Sequence, residues 1–269
     1  MQAIITLFTT AALITLAGAQ TLSIKGSDTL GAKLVPQLAE AFKAAGNKGV
    51  KFEIAAEGSA TAFPALANGT AQIGMSSRKI KDDERTFCRT KGIYIKEHAI
   101  CHDMICVLVN KNSPLSNLTK DQVAKIFTGQ IKDWSEIGGA PGKISIYTRN
   151  TSSGTYKDWQ KLAMGGRDYP SSSLKMAGNE QIAQEVAKNK NGIGYVGLAY
   201  SKTSGTKSLV IDGVQPIAQN AKKYAYARLC YVYAPDKPGA EADAFMKFVE
   251  SPAGQDIVSK VGFIPAKDL

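Results

Sequence analysis

The stretch KISIYTRNTSSGTYKDWQKLAMGG (143–166) changes character twice. KISIYTR reads as a strand that ends by delivering Arg149, and GTYKDWQKLAMGG reads as a helix. Between them lies Thr151-Ser152-Ser153-Gly154-Thr155, four hydroxyls around one glycine. A turn of that composition either caps the helix and does nothing more, or presents hydroxyls and unsatisfied backbone amides to a bound group.

The same punctuation recurs. Gly26-Ser27-Asp28-Thr29 follows the strand-like TLSIKG, and Gly58-Ser59-Ala60-Thr61 follows VKFEIAA. A further turn, Ser76-Ser77-Arg78, leaves the strand-like AQIGMSS. Taken singly, each is most simply a Ser or Thr N-cap. Taken together, they place hydroxyls and amides at several helix N-termini, where the positive end of the dipole favours an anion. In open α/β sheets the carboxyl ends of the strands line one crevice, so turns that each follow a strand can converge there. Arg78 and Arg149 would bring guanidinium groups, which suit bidentate contact with an oxyanion.

The remaining segments alternate in the same way. LGAKLVPQLAEAFKAAG carries apolar residues at Leu30, Leu34, Leu38 and Phe42 and predicts one helix ending at Gly46. ATAFPALANG, TKDQVAKIFTG, EQIAQEVAKN and GAEADAFMKFVES predict further helices; DMICVLVN and RLCYVYA predict strands. Strands alternating with helices give an α/β class, a sheet flanked by helices. With 269 residues, 44% of them hydrophobic, the chain can bury one large domain or two lobes. No repeat, low-complexity tract or Pro/Ser linker divides it.

MQAIITLFTTAALITLAGAQ (1–20) is uncharged and apolar and ends in Ala17-Gly18-Ala19, which predicts a secretory signal peptide over 1–19 cleaved after Ala19. The four cysteines, Cys88, Cys101, Cys106 and Cys230, permit disulfides in an exported chain. Cys88 and Cys101 bracket the polar connection TKGIYIKEHAI and are the expected pair. Cys106 and Cys230 sit in apolar runs where a buried thiol and a bridge are equally open. Cys101, His102 and Cys106 lack the spacing of a zinc site, so no metal is expected. The 33 basic residues against 23 acidic ones give a net charge of +10. They are scattered singly without aromatic partners, so nucleic acid is not an expected partner and a small anion is. A serine hydrolase at Ser152 or Ser153 would need a base, and both histidines, His98 and His102, lie in the distant segment between Cys88 and Cys106.

GSDT, EGSATAFPALANGTAQIGMSSR, SNLTKDQVAKIFTGQIKDWSEIGG, TRNTSSGTY, NGIGYVGLAY and FMKFVESPAGQDIVSKVGFIPA occur in that order from near Thr21 almost to Leu269. Together they resemble the periplasmic phosphate-binding proteins, receptors of ABC phosphate importers. The resemblance implies a type II periplasmic-binding-protein fold: two α/β lobes, each a mixed sheet flanked by helices, joined by two crossover strands with the ligand cleft between them. It puts the crossings near DMICVLVN and RLCYVYA, with residues 20–105 and 228–269 building one lobe and 106–227 the other. It implies a periplasmic monomer, not an enzyme and without a cofactor, that captures inorganic phosphate and delivers it to ABC permease subunits. Sensing or surface-scaffold proteins of the same fold, and binders of sulfate or phosphonate, remain the alternatives.

For the site, the resemblance implies that Ser27, Asp28, Thr29, Ser59, Ser77 and Arg78 contribute from one lobe, and Arg149, Ser153, Gly154 and Thr155 from the other. One position departs from the family. Many members carry an aspartate after a Gly-Ala-Ser turn, where it accepts the proton of monohydrogen phosphate. Here that place holds Ser77, followed by Arg78. Asp28, the one carboxylate in the matched turns, is either the replacement acceptor or a helix cap.

Overall fold

The computed structural model describes residues 21–268, so the expected signal peptide and its cleavage after Ala19 lie outside the described residues. Strand β1 (Thr21–Gly26) leads through the one-turn helix α1 (Asp28–Gly31) into α2 (Leu34–Ala44), followed by β2 (Lys51–Ala55), α3 (Ala62–Ala67), β3 (Ile73–Ser76) and α4 (Asp82–Thr90). The long β4 (Ile95–Asn110) precedes β5 (Asn117–Leu118), α5 (Lys120–Phe127), β6 (Ser145–Arg149), α6 (Gly154–Leu162), β7 (Leu174–Met176), α7 (Asn179–Lys188), β8 (Gly192–Gly197), β9 (Thr206–Ser208) and β10 (Val210–Ile211). β11 (Ala227–Pro235), α8 (Ala240–Glu250), α9 (Pro252–Val261) and β12 (Ile264–Pro265) complete the chain.

The principal sheet runs β2-β1-β3-β11-β4-β8-β6-β7, and two strands cross its middle. β1 pairs in parallel with β2 and β3, and β6 pairs in parallel with β7 and β8. β11 and β4 run antiparallel between these two groups. Up to Met104, β4 pairs with β11; from Ile105 onward it pairs with β8. From Asp103 to Asn110 every residue of β4 is buried, as expected of a central strand covered on both faces. Each half has its own core. Leu22, Ile24, Leu38, Phe42, Ile73 and Phe245 cluster on one side; Val107, Phe127, Trp159 and Tyr195 cluster on the other. Trp159 of α6 stacks on Tyr195 of β8 with ring centroids 4.7 Å apart. Such pairs contribute about 0.5–1.5 kcal/mol beyond burial, and this one clamps α6 to the sheet.

Three expectations are corrected. The helix expected from Leu30 onward is interrupted after Gly31 and restarts at Leu34. Pro36 is the cause: its ring would clash with the carbonyl of Ala32, so it is tolerated only in a first turn. The segment after Cys88 is not a stapled connection. Residues 82–90 form α4, whose single buried side chain is Cys88, and Ile95–Cys101 open β4 with Lys96 and Ala99 exposed. Neither stretch has the apolar rhythm by which helices and strands are read. The Cys88–Cys101 disulfide is not formed: all four cysteines are free and buried. The Cys88 thiol donates to the carbonyl of Phe63 at 3.6 Å, within a cluster separate from that of Cys101.

Candidate anion-binding site

The turns after β1, β2, β3 and β6 meet at one point. Thr29 Oγ1 and Thr155 Oγ1 lie 2.9 Å apart, and Ser77 Oγ lies 3.4 Å from Thr155 Oγ1 and 3.3 Å from Ser59 Oγ. The Ser77 amide also donates to Ser59 Oγ at 3.0 Å. All four residues are buried, as are Ser27 and Ser153. Gly154, the first residue of α6, makes this approach possible. A Cβ there would collide with Ser59 Oγ and come within 2.7 Å of Ser77 Oγ. Ser153 Oγ accepts from the Tyr156 amide at 3.2 Å and so caps α6. The helix therefore brings its electropositive end against a cluster of hydroxyls. Ser27 differs from the others: it makes no cap to α1, and its Oγ is buried with no hydrogen-bond partner.

Arg149, at the end of β6, is also buried. Its Nη2 donates to the carbonyl of Ala177 at 2.9 Å; its Nη1 lies 3.1 Å from Asp28 Oδ2, an ion pair without hydrogen-bond geometry, and its Nε has no partner. Burial lowers its pKa and the Asp28 carboxylate opposes that shift; the guanidinium remains charged. Asp28 does not cap its own helix. Its Oδ2 accepts from the Asn179 amide at 3.0 Å and from Asn179 Nδ2 at 2.7 Å, which seats the carboxylate at the N-terminus of α7. Gly178 has no side chain to obstruct it; a Cβ there would lie 2.8 Å from Asp28 Oδ1.

Arg78 requires a correction. Its guanidinium is engaged by Glu84 of α4 through both terminal nitrogens, and Nη1 also donates to the Lys79 carbonyl at 3.0 Å, while Nε is buried without a partner. Its ring neighbour is Phe63, 5.7 Å from the guanidinium carbon. Only its backbone stays in the turn, where the amide donates to Ser76 Oγ at 3.3 Å. The partner that captured it lies on α4, a helix without an apolar pattern to announce it.

Residues 14–253 match the family model described as a PBP superfamily domain. The chain is 35% identical to the phosphate-binding protein PstS of Pseudomonas aeruginosa, covering 91% of this chain and 82% of that protein. It is 30% identical to PstS of Bacillus subtilis, over 92% of this chain and 81% of the relative. The chain belongs to this family. A Clostridium perfringens protein, described as a phosphate ABC transporter substrate-binding protein and solved with bound phosphate, superposes with a TM-score of 0.85 at 31% identity. That likeness covers 92% of this chain and all of the other, and the fold is the two-lobe type II fold of periplasmic binding proteins.

In this PBP-superfamily chain the hydroxyl cluster is held from behind by residues that no turn motif marks. Arg228 on β11 donates through Nη2 to Thr155 Oγ1 and to Asp103 Oδ2, both at 2.9 Å, and its Nη1 lies 3.4 Å from Asp158 Oδ2. Arg228 and Asp103 are direct partners in the β11–β4 ladder. Asp103 Oδ1 accepts from the Leu198 amide at 3.0 Å. Burial opposes the charge on Arg228, but Asp103 foremost outweighs it and holds the pKa above its ordinary value. Burial pushes the Asp158 carboxyl upward, against the pull of Arg228. The available signal was a charge at the head of an otherwise apolar run, in DMICVLVN and again in RLCYVYA. Asn179 carried no such signal.

Removing one member of a buried ion pair leaves the other charge uncompensated, whereas removing both is far less costly. Arg228→Met is therefore expected to lower stability to denaturant by about 3–5 kcal/mol, and Asp103→Leu combined with it to recover most of that loss. Additive losses in the double variant would show that the two charges do not act as a pair.

Proposed function

We propose that the protein captures inorganic phosphate in the cleft between its two lobes and delivers it to the permease of an ABC importer. One observation carries the reading: Thr29, Ser59, Ser77 and Thr155 gather their hydroxyls where the amino end of α6 arrives at Gly154. From the same turns, Ser27 Oγ and the Nε and Nη1 of Arg149 are buried without hydrogen-bond partners, as is Arg78 Nε. A buried unsatisfied polar group costs about 1–3 kcal/mol, and an oxyanion with several acceptor oxygens removes that cost. Hydroxyls in such a cluster can serve as donors once an acceptor is present. Arg149 supplies the charge, Ser27, Thr29, Ser59, Ser77 and Thr155 supply hydroxyls, Gly154 supplies close backbone approach, and Ser153 orders the helix end. Arg78 braces α4 and lies outside this set. Asp28 acts on Arg149 and on α7 rather than on the anion.

In this reading residues 20–105 and 228–269 form one lobe and 106–227 the other, with β4 and β11 as the hinge; the division falls one residue beyond the point where β4 changes partner, between Met104 and Ile105. Closure brings Asp28 to Arg149 and Asn179, and lets the Ala60 amide donate to the Ser152 carbonyl at 3.0 Å. The protein acts as a periplasmic monomer after cleavage of its signal peptide behind Ala19. Among the described residues no helix is long and apolar enough to cross a membrane. The reading needs no catalysis and no cofactor; among the described residues no group of three His, Cys, Asp or Glu side chains could hold a metal ion.

Calorimetric titration of the mature chain with phosphate, sulfate and arsenate tests the reading, with saturable binding of phosphate and arsenate expected and its absence for phosphate decisive against it. Arg149→Ala is expected to cost about 2–5 kcal/mol of phosphate binding, the loss of a charge-assisted partner in a closed cleft, while the variant stays folded. Binding within about a factor of two of the parent, under 0.5 kcal/mol, would remove Arg149 from the site. Selectivity gives a second expectation. Because Asp28 Oδ2 is already committed to Arg149 and Asn179, Asp28→Asn should leave the ratio of phosphate to sulfate affinity within about threefold, where a true proton acceptor would carry discrimination of up to about 10⁴–10⁵. A ratio that collapses by about a hundredfold or more would make Asp28 the proton acceptor.

A further inference from the structure

Two thiols face each other where the crossover strands run side by side. Cys101 on β4 and Cys230 on β11 are direct Cα partners in an antiparallel ladder. Residues paired in this way lie about 4.5–5.5 Å apart at Cα and project from the same face of the sheet. A disulfide spans Cα atoms about 4.4–6.8 Å apart, so the backbone already meets its requirement. Both side chains belong to one core cluster and both are fully buried. Burial, and after it the Cys230 thiol, push the Cys101 thiol well above its ordinary pKa. The other two cysteines are placed differently. Cys88 lies on α4 against Phe63, and Cys106 is paired with Val196 of β8, its thiol donating to the Met104 carbonyl at 3.6 Å.

We propose that Cys101 and Cys230 are an oxidisable pair that forms an intramolecular disulfide across the two crossover strands when the chain meets a disulfide oxidant. The thiolate of one cysteine attacks the oxidant's S–S bond and releases one half as a thiolate, which takes up a proton. The second cysteine's thiolate attacks the resulting mixed disulfide at its partner's sulfur and expels the other half. Two electrons pass to the oxidant, one S–S bond is broken and one is formed. Because both sulfurs are buried in the folded chain, exchange takes place while the chain folds or when the strands part.

The bridge would sit two rungs from Arg228 and Asp103 and directly beside a bulge, where Ile100 is left unpaired as the register shifts between Cys230 and Tyr231. It would pin the register of the ladder that brings the buried ion pair together. It would also close a long loop that includes the whole of the second lobe, so it constrains the unfolded chain strongly.

The test uses the full chain, unfolded in denaturant and refolded in a mixture of reduced and oxidised glutathione, then alkylated and mapped without reduction. Cys101 and Cys106 share the tryptic peptide between Lys96 and Lys111, Cys230 lies on the peptide beginning at Leu229, and Cys88 lies on Thr86–Arg89. The expected product links the first two peptides. It persists in Cys106→Ser and disappears in Cys101→Ser, with the Cys88 peptide alkylated throughout. Reduction of the wild-type product should lower its melting temperature by about 5 °C or more. Four alkylated cysteines after refolding to the native state, a bridge that includes Cys88, or a bridge to Cys230 lost in Cys106→Ser would each overturn the proposal. Mapping the unsubstituted chain keeps the result decisive even if Cys101→Ser does not fold.

Discussion

A guanidinium and a carboxylate buried together survive in a protein interior only if each completes the other, and at the centre of this fold Arg228 and Asp103 meet that condition. They stand opposite each other on the two strands that connect the lobes. Each then spends its remaining hydrogen-bonding capacity on the second lobe: Arg228 on Thr155 and Asp158 of α6, Asp103 on the amide of Leu198. The hinge is thus joined directly to the helix whose amino end forms one wall of the cleft. Thr155 is the shared atom set: its hydroxyl is within reach of Arg228, Thr29 and Ser77. Misplacing Arg228 would move the hydroxyl on which both lobes converge.

The close approach of these segments depends on two absent side chains and one carboxylate. Gly154 lets α6 approach Ser59 and Ser77, and Gly58, with a φ of 129°, packs against Ser152 where a Cβ would meet its carbonyl oxygen at 2.8 Å. Asp28 crosses the cleft to the amino end of α7 and to Arg149. The carboxylate and the proposed anion therefore compete for the same guanidinium charge, and the pairing gives the closed arrangement a stabilising contact of its own. Tyr200 adds to it, its hydroxyl donating to the Thr29 carbonyl at 3.0 Å. The net charge of +10 acts over longer distances, raising the local concentration of small anions.

The α/β class and the convergence of the hydroxyl turns were legible because both are local. A strand, a small-residue turn and a helix start are written in consecutive residues, and in such sheets the carboxyl ends of strands share one edge. Ser59, Ser77, Gly154 and Thr155 meet as that rule expects. What escaped was set by partners that no motif marks. Arg78 was drawn to Glu84, only six residues on but in a helix whose polar sequence conceals it, and Asp28 found Asn179, 151 residues away. Arg228 reaches Thr155 across 73 residues, with no motif to connect them. The cysteines make the same point. Cys88 and Cys101 are neighbours in sequence yet lie in different clusters, whereas Cys230 shares a rung with Cys101.

In the proposed function, the hydroxyls of Thr29, Ser59, Ser77 and Thr155, with Arg149 and the amino end of α6, surround one oxyanion. A crystal structure of the mature chain grown with saturating phosphate tests it most directly. Tetrahedral density is expected in the cleft within hydrogen-bonding distance of Ser77, Thr155 and the Gly154 region, contacted by Arg149, with Arg78 still on Glu84. An empty cleft at saturation, or phosphate bound against Arg78 and away from Arg149, would contradict it.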